Sequence, residues 1–150
     1  IEVDDDFNEL DSFHAFINPQ RKVPWFVTRI HGLNNEFLDD KPIFSDIGRD
    51  LLLFLEGSEL WAHNMSFDAG MLNAEFARNR LPTLEKVDCR LNCTLQLARS
   101  TFPGQKNSLD ALLDRFAIDR SERRLHGAMI DTRLLVKVYQ NLVSYRTKTS

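Results

Sequence analysis

The hydrophobic positions of this chain change period along its length, and the change separates an early strand region from a later helical one. At the start, "IEV" is apolar–polar–apolar and runs into the turn-like "DDDFN", which reads as the end of a strand. "DSFHAFINP" then sets Phe13, Ala15 and Ile17 against Ser12, His14 and Phe16, the alternation of a second strand, stopped by Pro19. "VTRIHGL" reads as a polar loop. In "FSDIGRDLLLFLEG", Ile47, Leu51, Phe54 and Leu55 recur at helical spacing, with Ser45 placed to cap and Gly57 to stop the helix. "ELWAHN" is a short buried strand and "SFDAGMLNAEFARNR" a helix with Ser66 as its expected cap. "KVD" is a further short strand. "LNCTLQLARSTF" puts Leu91, Leu95, Ala98 and Phe102 on one helical face before Pro103 and Gly104 break it. "NSLDALLDRF" is a shorter helix with Leu109, Leu112, Leu113 and Phe116 inward. A last helix runs from about Ala128 to about Tyr145.

Early strands followed by alternating strands and helices predict an α/β or α+β class with a mixed sheet, in one domain over residues 1–150. Composition narrows the setting. The hydrophobic share of 43% and charged share of 27% are those of a globular protein, which excludes the disordered class. No apolar run approaches the ~20 residues that span a bilayer, and no secretory pattern opens the chain, so the expectation is a cytoplasmic protein with no membrane partner. Cys89 and Cys93, the only cysteines, fall at i,i+4 on an expected helix and are not expected to pair. The net charge of −3 argues against a general nucleic-acid coat protein. It leaves room for an enzyme whose acidic centre is neutralised by metal ions.

Two stretches carry candidate chemistry. In "LHGAMID", a wheel of the last helix places Leu135, Val138, Tyr139 and Leu142 on one stripe, with Arg133, Lys137 and Gln140 opposite. Asp131 lies inside the apolar stripe, where an unpaired carboxylate is costly. It needs a cation, a proton, a set of donors, or simply an Arg or Lys partner. His126 lies about 140° away around a helix, so it shares a site with Asp131 only from the lead-in loop, with Gly127 allowing the bend. Its other reading is a locally hydrogen-bonded loop histidine. In "AHNMSFDAGML", Asp68 sits in the first turn of a helix behind a strand. That position suits the helix dipole alone, or a carboxylate held at the C-terminal end of a strand, where α/β sites gather. The acids Glu2, Asp4, Asp5, Asp6 and Glu9 read as a solvated turn. Two aspartates and a histidine together fit Mg²⁺-assisted phosphodiester chemistry, with the histidine as base for the attacking water.

The segments "AHNMSFD", "TFPGQKNSLDALLDRFAID" and "RRLHGAMIDTRLLVKVY", with "FINP…V…IHGL" ahead of them, resemble the DEDDh family of 3′–5′ exonucleases, and within it the proofreading subunits of bacterial DNA polymerase III. The resemblance covers nearly the whole chain in the right order. It implies a ribonuclease-H-like fold, a mixed central sheet flanked by helices, and two divalent ions, Mg²⁺ or Mn²⁺. It also implies a DNA 3′ end as substrate and the polymerase III catalytic subunit as partner. By position, Asp68 and Asp131 resemble metal-site carboxylates and His126 the general base. His31 and Gly32 resemble residues that contact the terminal nucleotide, and Asn64 and Phe67 residues that shape the second motif. Asn107 and Asp110, in "NSLDAL", read as structural.

One element of the family pattern is absent. The family opens on a strand bearing Asp-x-Glu, and this sequence has none. Glu2-Val3-Asp4 has the interval in reverse order, on what should be the second strand, and is not taken as a substitute. The expectation is an N-terminally truncated domain, lacking its first strand. Three readings stay open: a DNA proofreading exonuclease, a related exonuclease acting on RNA or small oligonucleotides, and a binding or scaffold module that keeps the fold without the chemistry.

Overall fold

The computed structural model describes residues 1–123 and 127–149. Two short strands, β1 (Glu2–Val3) and β2 (Glu9–Asp11), form an antiparallel hairpin. Helices α1 (Trp25–His31), α2 (Asn35–Asp39) and α3 (Phe44–Leu55) follow. Then come β3 (Glu59–Ala62), α4 (Met65–Arg78), β4 (Arg90–Cys93), α5 (Thr94–Thr101), α6 (Leu109–Arg115) and the long α7 (Ala128–Thr149).

The parallel pair β3/β4 organises the rest. Its register sets Leu60 against Leu91, Trp61 against Asn92, and Ala62 against Cys93. Side chains alternate across it. Leu60, Ala62, Leu91 and Cys93 pack on one face against a core of Leu52, Leu55, Met65, Ala69, Phe76, Leu84 and Cys89 from α3, α4 and the turn ahead of β4. On the other face, the Trp61 ring lies 4.4 Å from that of Tyr139 on α7. A second core, of Ala98, Phe102, Leu112, Leu113, Leu134, Val138 and Leu142, joins α5, α6 and α7. The result is a three-layer α/β arrangement, as the class reading requires.

Several local expectations are corrected. Among the described residues the strands form two separate two-stranded sheets, one antiparallel and one parallel, and not a continuous mixed sheet. The stretch after Asp11 has no ladder partner, so 12–19 is irregular and only Glu9–Asp11 pairs. "VTRIHGL" is mostly helix. Pro24 presets φ at −59° ahead of α1. Gly32, at φ 75°, ends the helix in the left-handed region and donates its N–H to the Thr28 carbonyl at 2.7 Å. Neither predicted serine is a cap. Ile43 precedes α3 and its N–H is satisfied by the Asp46 carboxylate at 3.1 Å, while Ser45 is inside the helix. Asn64 precedes α4, with Ser66 in its first turn. "KVD" forms a 3₁₀ turn, because Asp88 takes a left-handed conformation (φ 59°) that no strand tolerates. The strand begins instead at Arg90, so Leu91 and Cys93 belong to β4 and not to a helix. Cys89 and Cys93 are both free thiols. α7 runs past Tyr145 to Thr149, its last turn supported by Thr149 Oγ1 donating to the Tyr145 carbonyl at 2.9 Å.

Candidate active site

Asp68 stands in the first turn of α4, directly beyond the C-terminal end of β3. Asn64 makes the corner. Its left-handed backbone (φ 77°, ψ 60°) suits an asparagine, and its carbonyl accepts the Phe67 N–H at 3.0 Å. Phe67 is 62% exposed, next to Asp68. Burial pushes the Asp68 carboxyl above the usual carboxylate range, and the neighbouring charge of His63 pulls it partly back.

His63 was not singled out from the sequence, although it directly precedes Asn64. Its Nε2 lies 2.7 Å from the Asn107 backbone oxygen and its Nδ1 2.9 Å from Thr94 Oγ1. A carbonyl only accepts, so Nε2 carries the proton and Nδ1 of the neutral ring accepts from the Thr94 hydroxyl. Burial lowers the His63 pKa. The Asn107 carbonyl acts against that shift, Arg99 adds to it, and Asp68 opposes it. The ring therefore ties the β3–α4 corner to the start of α5 and to the loop before α6. Asn107 is buried and fully engaged. Its amide donates to the Phe102 and Gln105 carbonyls at 3.1 Å each, and its Oδ1 accepts from Arg115 at 2.9 Å. That agrees with a structural role for this residue.

Asp131 lies in the first turn of α7, its side chain 25% exposed. Arg123 Nε donates to Oδ1 at 2.7 Å and Nη2 to Oδ2 at 3.3 Å, a two-pronged pairing. Arg123 Nη1 also reaches Asp110, whose carboxylate is shared with Arg120. The arginine-paired reading of Asp131 is the arrangement seen. The arginine itself was the missed residue, two positions before the "LHG" that drew attention. His126 lies outside the described residues.

His31 ends α1, its Nδ1 accepting the Leu33 N–H at 3.0 Å, and Gly32 is the exposed left-handed cap. These residues, the α4 group and Asp131 share no hydrogen bond or ion pair among the described residues. A cavity of about 690 Å³ lies between residues 17–21, the start of α3 and the outer side of α4, and neither Asp68 nor Asp131 lines it. A smaller one of about 230 Å³ beside α7 is walled by Arg120, Arg123, Arg133 and Lys137.

The two aspartates have the hard oxygen donors that Mg²⁺ or Mn²⁺ takes. As arranged, they do not make a metal site. Asp131 is occupied by Arg123, and among the described residues no three His, Cys, Asp or Glu side chains stand close enough to hold a metal ion.

Another feature went unread in the sequence. Cys93 ends β4 facing the start of α4, and the Met65 N–H points at its Sγ at 3.4 Å. Burial pushes the thiol up, but backbone N–H groups of Met65, Gln96, Asn64 and Leu95 outweigh it and bring the pKa down.

Comparison with known proteins places these features in context. The model of the exonuclease (RNase_T) family matches residues 1–139. The DNA polymerase III subunit epsilon of Pasteurella multocida is 39% identical over 137 residues, covering 91% of this chain and 54% of that protein. That of Rickettsia conorii is 46% identical over 141 residues, covering 90% of this chain and 59% of that protein. The chain thus spans little more than half the length of these curated relatives. Among solved structures, exonuclease X in complex with 5′ overhanging duplex DNA superposes with a TM-score of 0.65 at 25% identity, over 95% of this chain and 78% of that one.

Proposed function

The chain belongs to the RNase_T exonuclease family, and from that premise we propose that its protein is a 3′–5′ exonuclease which trims DNA ends for a replicative polymerase. The observation that carries the proposal is the position of Asp68. In a chain of this family, a carboxylate stands one helical turn beyond the C-terminal end of a parallel strand, with its corner fixed by Asn64 and His63 and an exposed Phe67 beside it. That edge is where α/β sheets present reacting groups. Aromatic faces such as Phe67 suit an unstacked terminal base.

The reaction is hydrolysis of the last phosphodiester: water attacks phosphorus, the bond to the penultimate nucleotide's oxygen breaks, and one nucleotide leaves. His126 is the proposed base for that water. Asp68 and Asp131 are the proposed acidic residues of the site. His31, Gly32, Asn64 and Phe67 are proposed to position the terminal nucleotide. Two divalent ions, Mg²⁺ or Mn²⁺, belong to the proposal as required cofactors. Among the described residues they find no ready cage while Arg123 holds Asp131. A cytoplasmic setting and a complex with the polymerase III catalytic subunit complete the reading. No helix of the described residues is long and apolar enough to cross a membrane.

The Arg123–Asp131 pairing favours a second reading, a module that binds nucleic acid or a partner without cutting. Digestion of a 5′-labelled single-stranded DNA by this chain with Mn²⁺ separates the two. A ladder shortening from the 3′ end, abolished by EDTA and by His126→Ala, is the expected result. Binding without any ladder selects the non-catalytic module only if the chain stays inactive when an Asp-x-Glu strand is joined ahead of Ile1. Preferential cutting of the RNA counterpart selects an RNA or oligonucleotide exonuclease.

A further inference from the structure

Between Asp11 and Glu36 the sequence contains no acidic residue, while Arg21, Lys22 and Arg29 fall within that stretch. This is unusual in a chain with more acids than bases and a net charge of −3. The acid-free stretch includes α1, a helix that buries none of its residues. Trp25 is 69% exposed, Phe26 56% and Ile30 51%.

These side chains form one face. Trp25 and Arg29 are four apart, as are Phe26 and Ile30, which brings each pair together on a helix. The Arg29 guanidinium lies 5.7 Å from the Trp25 ring centroid, and the Trp25 and Phe26 rings meet edge-on at 6.0 Å. The helix is anchored behind this face. The Asn35 side chain accepts the Val23 N–H at 2.6 Å and donates to the Val23 carbonyl at 3.1 Å. Thr28 Oγ1 donates to the Leu33 carbonyl at 3.0 Å. So much apolar area held in water on an anchored element is the mark of a contact surface.

The charge decides which contact. A face of two aromatic rings and a guanidinium, in a stretch that also carries Arg21 and Lys22 and has no acid of its own, complements a polymer of negative phosphates with flat bases. We propose that α1 is a stacking platform for single-stranded nucleic acid, with bases on Trp25 and Phe26 and phosphates on Arg21, Lys22 and Arg29. This deepens the exonuclease reading and rests on it for the identity of the strand. Trp25 precedes His31 by six residues, about 9 Å along a helix axis. It therefore serves nucleotides inward of the terminal one.

The test measures binding without cleavage. Trp61→Phe leaves Trp25 as the only tryptophan. Its fluorescence is followed while oligothymidylate of about 12 nucleotides is added in EDTA at several salt concentrations. Quenching is expected, with affinity that falls as salt rises. In separate titrations read by the anisotropy of a labelled strand, Trp25→Ala should weaken binding by about 5- to 150-fold, the range for loss of one base stack. Trp25→Phe should recover most of that loss. Arg29→Gln should flatten the salt slope by about 0.7, one phosphate contact on a single strand. Because Trp25 and Arg29 are both exposed, these variants should melt with the wild type. Equal affinity of Trp25→Ala and wild type overturns the proposal. So does binding of anionic vesicles in preference to the oligonucleotide, or a dimer in the absence of DNA that Trp25→Ala dissociates. Binding that depends on Trp25 without any cleavage defeats only the exonuclease reading. Cleavage with binding indifferent to Trp25 defeats only this one.

Discussion

Arg123 covers both carboxylate oxygens of Asp131, at 2.7 and 3.3 Å, and only 7% of its side chain meets solvent. A guanidinium placed this way does for the carboxylate what a cation would do: it neutralises it and fixes its rotamer. Arg123→Gln removes the arginine paired with Asp131 and leaves Asp110 with Arg120 alone. Loss of charge-assisted hydrogen bonds of this kind costs about 1–3 kcal/mol. Urea unfolding in EDTA should show that loss. Calorimetric titration with Mn²⁺ should show the opposite trend, with the variant binding more tightly than wild type because Asp131 is released. Equal Mn²⁺ affinities would mean that the guanidinium does not shield the carboxylate.

Asp68 is an acid whose folded pKa is raised, mainly by burial. In the window above its unfolded value, the folded state binds more protons than the unfolded one, so its contribution to stability declines as pH rises through that window. At pH 7 the charged form is a net cost, and Asp68→Asn should melt higher than wild type. The group is only half-buried and screened by water, which keeps the gain below about 1 kcal/mol. The difference should vanish near pH 4. A variant that melts lower at pH 7 would show that the carboxylate is stabilised by its surroundings.

His63 runs the other way. Its folded pKa is lowered, first by burial. As pH falls below the unfolded value of about 6.5, the unfolded state takes up the proton first, and stability is lost on acidification. His63→Ala also strands the fully buried Thr94 hydroxyl and the Asn107 carbonyl. At about 1–3 kcal/mol for each buried group left unpaired, the variant should lose about 2–4 kcal/mol at pH 7, and less at pH 5. Denaturant midpoints at the two pH values test both parts. An equal loss at both would remove histidine titration from the account.

The two thiols should react at different rates. Cys89 is buried, with 5% of its surface exposed. Cys93 is partly open and its thiolate is favoured by four backbone N–H groups. Iodoacetamide under native conditions should label Cys93 first, as mass spectrometry of peptides would show. Prior labelling of Cys89 would contradict its burial in the core shared by α3 and α4.

The helices were the legible part of the fold. α3, α4, α6 and α7 announce themselves because their apolar positions recur every three or four residues and face a core. α1 did not, because no residue of it is buried and it leaves no stripe to read. β4 was displaced by a few residues, since "KVD" and "RLNC" are equally short and only pairing with β3 decides between them. The serine caps failed for a related reason. Ser45 and Ser66 have the right chemistry, but Ile43 and Asn64 are where the chain turns. At the candidate site, the place of Asp68 in the first turn of the helix behind β3 was legible, because strand and helix patterns meet there. His63 and Arg123 were missed because their roles depend on Asn107, Thr94, Asp110 and Asp131, partners that no local pattern reveals.

The two cores described above divide the molecule into bodies of different composition. Asp68 rides on the α3/α4 body, beside Ala69, and Asp131 on the α5/α6/α7 body, one turn before Leu134. The Trp61–Tyr139 ring contact spans from β3 to α7. Each aspartate is therefore held by its own core, and a substitution that loosens one core is expected to disturb its own carboxylate and to leave the other's surroundings in place.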